Sequence, residues 1–406
     1  MIIGLAWRNL WRQPIRTGLS FISITLASAL LVFMLSFQLG IYDTMRSNTL
    51  RVFDGFAQIQ PPDYNEDPDL KKTISSAVSL AKQTLAVNGV SASSLRASSY
   101  VILANGELGY GAAVVGVNPD NEKQVSSLAA SITSGRYLRK EDHDAIIMGD
   151  VLARNLKLSV GDRVTLLGSA LDGTVAADNL QLIGLFHTGI STLDRQFTEI
   201  PLPQFQSTFV MGNQANIVVL SGAKLSSINQ ALPKLQQLAS SQGLVVKNWA
   251  QLQPELKQAI QLDFSTSMLW YSSLVVVVVF IILNTLLMSI MERTREFGML
   301  MAIGMRATLV GKMLWLELFF LTLIGSLSGI LIGGGIAFWF SQTGISVEAL
   351  EGLMALWGLP GKLYPTLSMT SALAGPMIIL VAVSLGGLIQ VRRVGRLDPV
   401  NAMRAV

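Results

Sequence analysis

Hydrophobic and polar positions divide the chain into four long apolar stretches and one large segment of mixed character between the first two. An uncharged run of about 20 residues is long enough to cross a bilayer as a helix. Segments with uncharged cores of that length predict transmembrane helices over 17–42, 264–291, 313–341 and 369–392. Residues 1–16 have a different pattern. In "IIGLAWRNLWR", Ile3, Trp7, Leu10 and Trp11 share one helical face and Arg8 and Arg12 lie away from its centre, which suits a helix lying in the membrane interface. Pro14 then marks the turn into the first span.

The segment 43–263 alternates and breaks as a water-exposed domain does. "GFAQIQ" at 55–60 alternates like a strand, and Leu70–Ala86 reads as an amphipathic helix. "SYVILA" and "GAAVVGV" are β-rich runs around "NGELGY", whose Asn-Gly pair is a hairpin signal. "EDHDAIIMGDVLARNLKLSVGDRVTLL" predicts strand, short helix, turn and strand. "LQLIGLF" and "TEIPL" add strands, and Ser226–Ser240 a helix. The fold class is therefore a membrane protein of four transmembrane α-helices with a large α+β extracytoplasmic domain inserted between helices 1 and 2, strand-rich from about 95 to 210.

Composition agrees: half of the 406 residues are hydrophobic, 14% are charged, and the mean hydropathy is +0.48. Lys and Arg orient the spans. Arg8, Arg12 and Arg16 precede the first, Arg293, Arg295, Arg306 and Lys312 lie between the second and third, and Arg392, Arg393, Arg396 and Arg404 follow the fourth. Excess positive charge stays on the cytoplasmic side. Both termini and 292–306 are thus expected in the cytoplasm, with 393–406 as a cytoplasmic tail, 342–368 as a short external loop and 43–263 in the periplasm, the whole in a bacterial inner membrane. That large segment holds 18 Lys/Arg against 20 Asp/Glu, so the pI near 9.3 is a topology signal and no nucleic-acid footprint. "ASA" at Ala27–Ala29 offers a signal-cleavage alternative, which N-terminal sequencing beginning at Leu30 would reveal.

No catalytic constellation emerges. The absence of cysteine excludes disulfides and thiolate chemistry, and His143 and His187 read as isolated, so no metal site is expected. Gly311–Lys312 and Gly361–Lys362 are followed by Met and Leu, so neither completes a phosphate-binding loop. "GSLSG" has its serines misplaced for a nucleophile elbow. The chain reads as a non-catalytic membrane subunit that binds no cofactor of its own.

Three stretches carry a resemblance: "AWRNLWRQPIRTGLS", "ERTREFGMLMAIGM" after the second span, and the C-terminal "DPVNAMR". With the span layout, they resemble the MacB/FtsX/lipoprotein-releasing permease superfamily, the type VII ABC transporters. "ITSGRYLRKEDHDAIIMGDVLARNLKLSVGDRVTLLG" and "LDRQFTEIPLPQFQ" look most like the lipoprotein-releasing branch. The resemblance implies that 292–306 is a coupling helix docking on a cytoplasmic ABC ATPase dimer, which holds the ATP and Mg²⁺. Glu292, Arg293, Arg295 and Glu296 would offer ion pairs, Phe297, Met299, Leu300 and Met301 apolar anchors, and Gly298 and Gly304 close approach and a helix end. It also implies a second permease copy or paralogue. Gly325, Gly329, Gly333 and Ala337 form a small-residue stripe for packing, either between chains or within the chain against span two or four. Glu317 is expected to pair with Lys312 or Arg306. Phe33, Met34, Phe37, Met268, Leu269 and Trp270 occupy positions comparable to an acyl-chain cavity, and membrane lipids are expected neighbours. A periplasmic carrier or outer-membrane partner would use the loop Leu167–Asn179, which has no proline or aromatic anchor here. The implied function is mechanotransmission from a separate ATPase to the periplasmic domain, extracting or exporting a lipidated or amphipathic substrate such as lipoproteins. The alternatives are MacB-like export of a peptide, toxin or antibiotic, and non-transporting mechanical regulation of an extracytoplasmic enzyme.

Overall fold

The computed structural model describes residues 2–12, 14–346 and 362–394. Most of the expected external loop 342–368, nearly all of the tail 393–406, and with it "DPVNAMR", Arg396 and Arg404, lie outside the described residues. The chain divides into two units. One is Met1–Thr44, Ala259–Glu348 and Gly361–Val406, and the other Met45–Gln258 with Ala349–Pro360.

The first unit is helical. α1 (Ile2–Leu10) precedes α2 (Pro14–Val52), which starts on a proline whose missing N–H would have had no helical partner. α2 continues ten residues past the expected span end at 42; its last part, from Met45, belongs to the second unit, where Leu50 is buried in a core. The remaining helices of this unit come after the inserted domain and are α10 (Pro254–Glu292), α11 (Thr294–Ala302), α12 (Ala307–Thr343) and α13 (Met369–Val394). Four of them are long and apolar enough to cross a membrane: α2, α10, α12 and α13. Their shared core is built from Ile24, Ala27 and Leu31 of α2, Val275 and Ile282 of α10, Leu318 of α12, and Ile379 and Val383 of α13.

The second unit is α+β. Its strands are β1 (Ala57–Gln60), β2 (Ala92–Asn105), β3 (Leu108–Val117), β4 (Ile132–Gly135), β5 (Ala145–Gly149), β6 (Arg163–Ser169), β7 (Val175–Phe186), β8 (Phe197–Pro201), β9 (Ile217–Ser221) and β10 (Val245–Asn248). Between them lie α3 (Ala77–Leu85), α4 (Pro119–Val125), α5 (Asp150–Leu156), α6 (Ser191–Gln196), α7 (Leu202–Thr208), α8 (Leu225–Ser240) and α9 (Trp249–Leu252). The strand order is β10-β1-β9-β2-β3-β8-β5-β7-β4, with β6 pairing both β2 and β7. That last pairing closes β2, β3, β8, β5, β7 and β6 into a ring, in which none of the six is an edge strand, while β10 and β4 remain edges outside it. Its core takes apolar residues from all six strands, among them Val101, Val114, Ile200, Met148, Leu182 and Leu166. The long β2 belongs to both parts: Ala92–Arg96 pair with β9, and Ile102–Ala104 pair with β6. A second core lies where Ala57, Ile59, Val218 and Leu220 meet α3 and α8.

Two local expectations need correcting. The helix expected over Leu70–Ala86 begins only at Ala77, because Ile74 donates its N–H to Ala215 O at 2.7 Å in an isolated β-bridge. The expected loop Leu167–Asn179 is mostly strand. Residues 167–169 and 175–179 pair across the β6–β7 hairpin, and the turn is only Ala170–Thr174.

Candidate functional site

α10 and α11 are separated by a single non-helical residue, Arg293, so the charges of "ERTRE" cluster around a helix junction. Glu292 accepts two hydrogen bonds from the Arg16 guanidinium, at 2.5 and 2.6 Å. Arg293 is buried. Its Nη1 lies 3.4 Å from Glu317 of α12, its Nε 3.4 Å from Glu296, and its guanidinium 5.3 Å from the Phe297 ring centroid. Arg12 reaches Glu296 at 4.0 Å. The expected partners of Glu317, Lys312 and Arg306, are thus replaced by Arg293, because the junction folds Arg293 back toward α12 while Arg306 stays exposed.

The apolar residues of α11 divide between two faces. Phe297 is fully buried among Ala6, Ile290, Val310, Met313 and Leu314, and Gly298 is buried beside it. Leu300 and Met301 are partly buried against the same cluster. Phe297 and Leu300 therefore seat the helix on its own chain and are not free anchors, which corrects that part of the expectation. The exposed apolar positions are Met299 and Ile303, 50% and 85% exposed and one helical turn apart, with Arg295 on the solvent side as well. Ile303 was missed in the sequence; its i+4 spacing from Met299 was the available signal. The helix ends in a glycine cap. Gly304 has φ +106°, its N–H bonds to Met301 O and that of Met305 to Leu300 O, both at 3.0 Å. This is the 5→2 and 6→1 pattern that satisfies final carbonyls, with the Met305 and Leu300 side chains on one apolar cluster.

The small-residue stripe faces α2. Gly325, Gly329, Gly333 and Ala337 are buried. A Cβ added at Gly325 would meet Ile24, at Gly329 Ser28 and Thr25, and at Gly333 the Ala29 backbone. The packing partner within the chain is span one, in place of the expected span two or four. Phe33 stacks on Phe37 and tilts against Phe340, each at 6.1 Å between centroids, while Met34, Met268, Leu269 and Trp270 are exposed. Beside the apolar core that the four spans share, α2 and α10 also have polar contacts around Gln38 and Asp263. Gln38 donates to Ser267 Oγ at 2.6 Å, Tyr271 donates to Gln38 Oε1 at 2.7 Å, and Tyr42 donates to Asp263 at 2.6 Å. A lone Gln in an apolar run was the signal for this network.

One group in the second unit has metal-ligand chemistry. The register pairs Gly149 with Phe186, so the next residues, Asp150 and His187, sit side by side at the ends of parallel β5 and β7. His187 Nδ1 lies 3.2 Å from Asp150 and 3.3 Å from Asp194. His187 therefore has two carboxylate neighbours, where the sequence had it isolated. Asp194 is already engaged by Thr188 N and Oγ1 and by Gly189 N, and so holds the turn that follows β7.

Comparison with known proteins matches both halves of the chain. The family profile described as MacB-like periplasmic core domain matches residues 17–238, and that described as FtsX-like permease C-terminal matches 269–399. The pyoverdine export ATP-binding/permease protein PvdT of Pseudomonas aeruginosa is 24% identical over 425 aligned residues, which cover 99% of this chain and 58% of that protein. The lipoprotein-releasing system transmembrane protein LolC of Neisseria meningitidis serogroup B is 22% identical, over 96% of this chain and 94% of its own. The solved periplasmic region of MacB from Actinobacillus actinomycetemcomitans aligns with 52% of this chain and 94% of its own at 13% identity and a TM-score of 0.37. The chain is a multi-pass membrane protein with an extracytoplasmic domain. With a MacB-like periplasmic core over more than half of its length and an FtsX-like permease segment behind it, the chain belongs to the MacB/FtsX family of membrane permeases.

Proposed function

We propose that this chain is the permease subunit of an ABC transporter, in which an ATPase lying outside these residues drives motion of the external domain. Its cargo is a lipidated or amphipathic molecule such as a lipoprotein. The match to LolC along nearly the whole of both chains supports the cargo, and the permease acts as a homodimer or with a paralogue. The two faces of α11 carry the coupling half of the reading. One face is seated by Phe297 and by Arg293 against α12, so a push on the helix is transmitted to a span. The other presents Arg295, Met299 and Ile303 to a partner. An exposed apolar pair beside a charge is the composition of a small docking patch.

The test is co-purification with the ATPase. The double substitution Met299→Asp and Ile303→Asp is expected to abolish co-purification and stimulated ATP hydrolysis without loss of the folded chain; unchanged binding would sink the coupling role. Reversing Glu292 is a weaker test, because that carboxylate is engaged with Arg16. The PvdT match along 99% of the chain favours a second reading, export of a small molecule. Mass spectrometry of the purified, ATP-trapped complex separates the two. Retained acylated protein supports lipoprotein extraction, and a retained small metabolite with no acylated species supports export.

A further inference from the structure

The ends of two neighbouring strands bring three donor atoms together. β5 and β7 run parallel, and the register that pairs Gly149 with Phe186 places Asp150 and His187 side by side as the chain leaves the sheet. The His187 main chain is fixed there by its N–H to Ser131 O at 2.9 Å. Asp194 of α6 comes in from a third element. Gly149 admits it, since a Cβ at that position would collide with the Asp194 backbone. His187 Nδ1 then lies 3.2 Å from Asp150 Oδ1 and 3.3 Å from Asp194 Oδ2, and all three atoms fall within 4.8 Å of one another. Among the described residues no other three His, Asp or Glu side chains converge in this way.

Hydrogen bonding alone does not account for the spacing. A charge-assisted N–H···O bond is about 2.7–2.9 Å long, and one N–H aligns with one oxygen only. Here one nitrogen stands nearly equidistant from two carboxylates and farther from each. Zn²⁺ takes nitrogen and oxygen ligands at about 2.0–2.2 Å in a tetrahedron, so neighbouring donors are then about 3.3–3.5 Å apart. An ion inside the triangle satisfies all three donors at once. The remaining carboxylate oxygens are held by the protein, which aims the other two at the imidazole. Asp150 Oδ2 accepts from Arg154 at 2.9 Å, and Asp194 Oδ1 accepts from Thr188 N and Oγ1, both at 2.8 Å. Asp194 Oδ2 accepts only from Gly189 N, at 3.1 Å, besides facing the imidazole, and keeps a lone pair for a cation. Hydrogen bonds of this kind orient the carboxylates that ligate metals.

Access and charge fit the same ligand. The Asp194 side chain is 3% exposed and that of His187 53%, so the group is anchored on one side and open to solvent on the other, where water completes the coordination. Two carboxylates favour a divalent cation, and the imidazole favours Zn²⁺ over Mg²⁺, which keeps to oxygen ligands. We propose that Asp150 Oδ1, His187 Nδ1 and Asp194 Oδ2 bind a zinc ion, which ties the ends of β5 and β7 to α6 and fixes the turn that follows β7.

The proposal stands apart from the coupling and cargo reading and is tested on the full chain in detergent, purified without a polyhistidine tag and stripped with a chelator. With no cysteine and only one other histidine, His143, the chain offers few competing donors. Calorimetric titration with ZnCl₂ is expected to show one saturable site, with MgCl₂ binding at least about a hundredfold more weakly. His187→Gln, at an exposed position, is expected to lower the zinc affinity by about a hundredfold or more, and His143→Gln to leave it unchanged. X-ray absorption at the zinc edge of the loaded, unsubstituted chain needs no variant and should show one imidazole together with oxygen ligands at about 2.0–2.2 Å. Absence of a saturable site, unchanged zinc affinity in His187→Gln, equal binding of Mg²⁺, or a zinc edge without imidazole would each overturn the proposal.

Discussion

Arg293 is the residue on which the junction between α10 and α11 depends. It is buried, lies over Phe297 and stands between Glu296 and Glu317. Arg293→Gln leaves Glu317 without its cation and is expected to destabilise the chain by roughly 2 kcal/mol, the scale of a lost charge-assisted bond. Melting in detergent should show that loss, and Glu317→Gln in the same chain should restore part of it. Loss of the exposed Arg16–Glu292 pair should change melting little. In the external domain, Glu199 sets a pH dependence. It is fully buried, accepts from Tyr137 at 2.8 Å, and faces Glu122, Arg96 and Tyr137, with Asp54 also beside Arg96. Burial first and Glu122 second raise its carboxyl from 4.5 to about 8. The folded state therefore holds this proton more tightly than the unfolded chain. The contribution is complete below 4.5 and is lost as pH rises through about 8. Glu199→Gln should melt higher than the unsubstituted chain at pH 9 and close to it at pH 4; a difference of the opposite sign at pH 9 would refute the assignment. Glu199 stands in "TEIPL" like any strand residue, and its burial follows from β8 lying between β3 and β5.

Elements follow the same division between local and distant causes. The end of α11 was readable, because Gly304 follows an apolar run and only glycine adopts φ +106° without strain. Gly304→Ala should cost about 1 to 2 kcal/mol and shorten the helix, measured as loss of melting temperature and faster exchange at Met301–Met305. The stripe on α12 was readable as a packing face, yet its partner was not. Small residues at i+4 specify a close approach but carry no label for the surface that approaches. Gly333→Leu places a side chain against the Ala29 backbone and is expected to disrupt the α2–α12 contact. A cysteine cross-link between Ser28→Cys and Gly329→Cys would report that contact directly. Of the β6–β7 hairpin, the stretch Leu167–Asn179 was read as a loop, because "LGSALDGTVAADN" is mostly small and polar and its pairing depends on the partner strand.

At the scale of the whole molecule, the absence of cysteine makes orientation a clean measurement. The orientation expected from the Lys and Arg distribution, with both termini and α11 in the cytoplasm, requires Val175→Cys in the external domain to react with an impermeant thiol reagent in intact cells. Arg306→Cys should react only after permeabilisation, and the reverse pattern would invert the topology. The number of spans and the position of the inserted domain were determined by composition along the chain, since lipid admits only long apolar helices and water rejects them. Strand periods and turn residues likewise announced most of the α+β domain. The closing of six strands into a ring, the turning of Phe297 inward and Ile303 outward, and the meeting of Arg293 with Glu317 were not available there. Each depends on residues distant in sequence becoming neighbours. Hydrophobic periodicity states that a face is buried and leaves open against what, and it is that choice of neighbour which sets charge pairing, exposure and the fate of each buried polar atom.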